Sequence, residues 1–216
     1  LEGLADRGNG NYATIDTFSE ARKVLVDQMS GTLVTIAKDV KIQVEFNPVR
    51  VAGYRLIGYE NRMLAAEDFN DDTKDAGEIG AGHTVTALYE IIPAGQPVNG
   101  VPPVDALKYQ VEGSLPVAAD ELLTVKLRYK QPNRDTSKKL EFPLEDKNRS
   151  FKKADDDFRF ATAVAGFGML LRDSEFKGDL NYEDIINWAQ KSLGNDEFGY
   201  RRECLDLMRN AAALSK

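Results

Sequence analysis

The stretch GEIGAGHT, residues 77–84, has the spacing of a phosphate-binding loop, G-x-x-x-x-G-K-[ST], with His83 where the lysine belongs. Such a loop needs a hydrophobic strand before it and a helix after it, so that amides and a helix N-terminus converge on phosphate. Here NDDTKDA comes before, and VTALYEI, alternating as a strand does, comes after. His83 also lacks a permanent charge at neutral pH. The stretch is expected to be a glycine-rich turn entering a strand.

A second candidate is the acidic run EDFNDDTKDAGE, residues 67–78, because hard cations take several carboxylate and amide oxygens close in sequence. Counted from Asp68, Asn70 and Asp72 fall at positions three and five of a calcium loop, and these three are the candidate metal ligands. Thr73 stands where the glycine of position six is needed, and Ile79 where the bidentate glutamate of position twelve is needed. A similar count from Asp173 puts Gly178 at six and Asp184 at twelve, with Lys177 where an oxygen belongs. Both stretches are expected to be solvated acidic loops.

His83 is the only histidine and Cys204 the only cysteine. A histidine metal cluster, a disulfide framework and a cysteine-built zinc site are therefore excluded within the chain. A Cys204/His83 dyad is formally available, yet Cys204 lies on the apolar face of an expected helix, where cysteine is usually structural. No catalytic residue and no cofactor is assigned. The net charge of −7 works against a nucleic-acid platform, which draws affinity from clustered Lys and Arg. No apolar run approaches the roughly 20 residues that span a bilayer, and the start, LEGLADRGNG, has no signal-peptide pattern. Leu1 in place of a methionine is expected for a piece of a longer or processed protein.

Around these candidates the hydrophobic period changes twice. GNYATID, residues 10–16, looks like a short strand, and residues 17–29 like a helix, with a Thr17/Glu20 capping box and Phe18, Ala21, Val24, Leu25 and Met29 at helical spacing. From residue 32 the period is two: Val40, Ile42, Val44 and Phe46 oppose Lys41, Gln43 and Glu45. Alternation returns at 83–92 and 123–130, and shorter strands are expected at 54–59, 107–112 and 139–144. The proline-rich stretch 93–105 reads as a long loop. Beyond residue 150 three helices are expected, at 158–171, 182–193 and 197–214. The first is apolar almost all round, with Gly166 and Gly168 permitting close packing. The expected fold is α+β: an antiparallel β-sandwich over 31–150 and a small helical subdomain over 151–216.

Longer strings carry a resemblance. GNGNYATID, EARKVLVDQMSGTLVTIAKDVKIQVEFNP, YRLIGYENR, EDFNDDTKDAGEIGAGHTVTALYEI and DFRFATAVAGFGMLLRDSEFKG resemble the C-terminal portion of bacterial proteins that contain a von Willebrand factor type A domain. The resemblance implies that residues 1–30 are the last strand and helix of a type A domain, and that the rest is its C-terminal partner. Type A domains hold a divalent metal through a D-x-S-x-S loop near their start. That loop is absent here, so the metal is expected only in the part of the domain outside this chain. The resemblance further implies a bacterial cell-envelope or periplasmic location. Together these features suggest a non-enzymatic protein-interaction or scaffolding module with an unknown protein partner. The alternatives are a carboxylate-based metal-binding or hydrolytic domain around residues 68–78, and an intramolecular regulator of the type A domain.

Overall fold

The computed structural model describes residues 2–7, 12–59, 63–74, 76–97 and 120–215. The chain is α+β and divides into two compact units. The first takes its described residues from Leu1–Ala52, Asn61–Val85 and Pro93–Glu145, and the second from Gly53–Glu60, Thr86–Ile92 and Asp146–Lys216.

The first unit opens with α1 (Glu2–Arg7) and a helical segment beginning at α2 (Phe18–Arg22). The Thr17 hydroxyl caps α2, accepting from the Glu20 amide at 3.1 Å. The expected single helix is interrupted: Lys23–Asp27 form a π-helical turn, closed by the Gln28 amide on the Lys23 carbonyl, before α3 (Met29–Leu33). Residues 12–16, expected to be a strand, have no regular structure.

β1 (Thr35–Phe46) is the spine of a four-stranded sheet ordered β3-β1-β5-β6, with β3 at Gly77–Gly80, β5 at Glu121–Lys130 and β6 at Ser137–Glu145. Its pairings are all antiparallel. The register aligns three apolar rows across β1, β5 and β6: Ile42–Leu127–Leu140, Val44–Val125–Phe142 and Phe46–Leu123–Leu144. Because side chains alternate along each strand, the rows between them fall on the other face: Lys41–Arg128–Lys139, Gln43–Lys126–Glu141 and Glu45–Thr124–Pro143. Asn47 ties off the end of β1. Its side-chain amide donates to the Glu121 carbonyl at 2.7 Å, and its Oδ1 accepts from the Val49 amide at 3.0 Å.

β2 (Val51–Ile57) pairs with β4 (Leu88–Pro93) in a separate two-stranded sheet, most of which belongs to the second unit. The alternation expected from residue 83 becomes a strand only at Leu88, where β2 is beside it. The strand expected at 107–112 lies outside the described residues.

The second unit also contains α4 (Asp156–Leu171), α5 (Tyr182–Gln190) and α6 (Tyr200–Leu214). Each helix starts on a chemical signal. The Asp155 carboxylate accepts from the Phe158 amide at 2.7 Å, and Asn181 and Asp184 form a reciprocal capping box. The Asp196 carboxylate accepts from the Arg201 and Arg202 amides, both at 3.0 Å. Ala163, Ile185, Ala189, Leu205 and Met208 form the buried core, with Phe160, Phe167, Leu170 and Trp188 packed around it. α4 is less enclosed than its composition suggests, since Phe158, Val164 and Leu171 are exposed.

Candidate functional site

The sheet of the first unit has the Lys41–Arg128 end of its charged face covered, while on its apolar face Phe46 is buried and Ile42, Leu140, Phe142 and Leu144 are exposed. A 3-10 turn, Ala66–Asn70, and the residues after it lie against the charged face, with Phe69 buried beneath them. Lys41, only 4 % exposed, donates its ammonium to the Asp68 carbonyl at 3.1 Å and also to the Asp71 carbonyl. Arg128 donates to Asn70 Oδ1 at 3.0 Å and stacks over Phe69, 5.8 Å from the ring centroid. Lys130 donates to the Asp72 carbonyl at 2.8 Å and pairs with Asp39 at 2.6 Å.

The three candidate metal ligands, Asp68, Asn70 and Asp72, therefore sit on one loop with their oxygens turned to cations and amides of the chain. Asp68 pairs with Lys74 at 3.5 Å, and Asp72 accepts from the Ser137 amide at 3.3 Å with Arg128 3.6 Å away. Hydrogen bonds from Ser137, helped by Arg128 and Lys130, hold the Asp72 carboxyl below the usual range. Hydrogen bonds from Thr73 do the same for Asp71. Among the described residues no three His, Cys, Asp or Glu side chains are grouped to share a metal ion. In the loop between α4 and α5, Lys177 pairs with Asp173. Asp184 there is part of the α5 cap.

GEIGAGHT is neither a phosphate loop nor only a turn. Gly77–Gly80 is the edge strand β3, Ala81 and Gly82 make the turn, and no helix follows. The glycines answer a backbone demand: a Cβ on Gly80 would stand 1.5 Å from the Gly31 carbonyl oxygen, and Gly82 has φ +82°. The Ala81 amide completes the contact on the Val34 carbonyl at 2.8 Å. His83 is exposed beside Gly31, in the first unit. Cys204 lies half-buried against the helical core of the second unit, where burial pushes its thiol up, away from the thiolate a nucleophile needs.

Other carboxylates of the helical unit are also committed. Asp156 pairs with Arg159, Asp157 with Arg201, and Asp196 caps α6. Arg201 additionally donates to the carbonyl of the buried Ser192 at 2.9 Å and lies over the Phe160 ring.

Apolar side chains also stay open on the first unit. On the sheet, Ile42, Leu140, Phe142 and Leu144 are 41–53 % exposed. Along α2, the π-turn and α3, Phe18, Leu25, Val26, Met29 and Leu33 are 50–89 % exposed. Helical periodicity was legible for Phe18, Leu25 and Met29 and strand alternation for Ile42, whereas Leu33, expected in a period-two stretch, ends α3. Their lack of a cover among the described residues was not legible, because burial depends on what lies opposite.

An α+β chain with apolar faces of this kind is the class the structure defines. The chain belongs to the family described as "Uncharacterized protein YfbK, C-terminal", whose model matches residues 31–214. It is 44 % identical over 214 residues to the Uncharacterized protein YfbK of Escherichia coli (strain K12), an alignment that takes in 98 % of this chain and 36 % of that protein. The chain thus spans about a third of the length of the curated relative it matches. No solved structure matches it.

Proposed function

We propose that this chain is a non-enzymatic interaction module that docks against a type A domain through its N-terminal helical segment. The observation that carries this reading is the stripe of Phe18, Leu25, Met29 and Leu33, each at least half exposed. A helix ordinarily buries such a stripe against a neighbour. The E. coli relative has almost two thirds of its length beyond the matched region, which leaves room for that neighbour. A sheet lacking its last helix is the partner such a stripe fits, in keeping with the resemblance of residues 1–30 to the end of a type A domain. Any divalent metal of the assembly would belong to that domain, and an envelope location goes with the same reading.

Hydrogen exchange on the intact E. coli relative and on its matching C-terminal third tests the proposal. The expected result is slower exchange of the segment aligned with residues 18–33 in the intact protein alone. Equal exchange in both would remove the docking role.

A further inference from the structure

We draw no further inference here: the strongest candidate, the surface patch that Ile42, Leu140, Phe142 and Leu144 form on the apolar side of the four-stranded sheet, carries nothing because nothing in the structure shows what covers it.

Discussion

Gly80 faces the carbonyl oxygen of Gly31 so closely that a Cβ at position 80 would stand 1.5 Å from it. The obstacle is backbone, which cannot swing aside as a side chain can, so α3 and β3 would have to separate. Gly80→Ala is expected to cost about 3 kcal/mol or more. At Gly82 a Cβ meets nothing within 4 Å, and only its φ of +82° opposes a side chain. Gly82→Ala should cost about 1–2 kcal/mol. Urea denaturation of the two variants separates a packing demand from a conformational one; equal losses would contradict the close approach.

The glycines of α4 make a second pair. A Cβ on Gly166 would lie 2.9 Å from Ile185 Cγ2 and 3.0 Å from Leu180 Cδ2, while one on Gly168 meets nothing within 4 Å. Alanine gains about 1 kcal/mol of helix propensity at either position. Gly168→Ala should therefore stabilise by about that amount. Gly166→Ala should destabilise, by about 1–2 kcal/mol once overpacking against α5 is set against the same gain. Thermal melts of both variants check the opposite signs.

The acidic loop is held by the chain's own cations. With Asp68, Asn70 and Asp72 turned to Lys74, Arg128 and Ser137, millimolar calcium or magnesium should shift the melting temperature by less than about 1 °C. Lys41→Met removes the ammonium that the Asp68 and Asp71 carbonyls accept from, at a cost of about 1–3 kcal/mol. Amide exchange over residues 66–74 should quicken in that variant. A large metal-induced stabilisation of the wild type would show instead that the loop can exchange its internal cations for a bound one.

The same contacts set a pH window. Asp72 is held below the ordinary carboxylate value of about 3.9, so its contribution is present above that value and is lost as pH falls through the lower folded one. Lys130 is raised, first by its hydrogen bond with Asp39, so its contribution is complete below the ordinary lysine value of about 10.4 and is lost as pH rises through the higher folded one. Urea midpoints should accordingly be insensitive to these two groups from about pH 5 to 9. Asp72→Asn should flatten part of the acid limb, and Lys130→Gln part of the alkaline limb.

Periodicity and capping chemistry are local, and the elements that depend on them were legible. Alternation marked β1, β5 and β6, because successive side chains of a strand must point to opposite faces. Thr17 marked a helix start, since it carries an oxygen within reach of an amide a turn ahead. The phosphate-loop spacing of 77–84 could be set aside because no helix follows it. The π-turn at Lys23–Asp27 left no local signal, and residues 83–87 alternate without gaining a ladder.

The sequence by itself determined the α+β class, the amphipathic faces and the supply of carboxylates, because each is a property of residue type and short-range spacing. Tertiary structure alone decided that Lys41, Arg128 and Lys130 take up the oxygens of the acidic loop, that Gly80 must make way for Gly31, and that Lys41 is buried while Ile42 and Phe142 of the apolar rows are exposed. Each of these depends on which residues, distant along the chain, arrive opposite one another, and burial and pairing are properties of both partners.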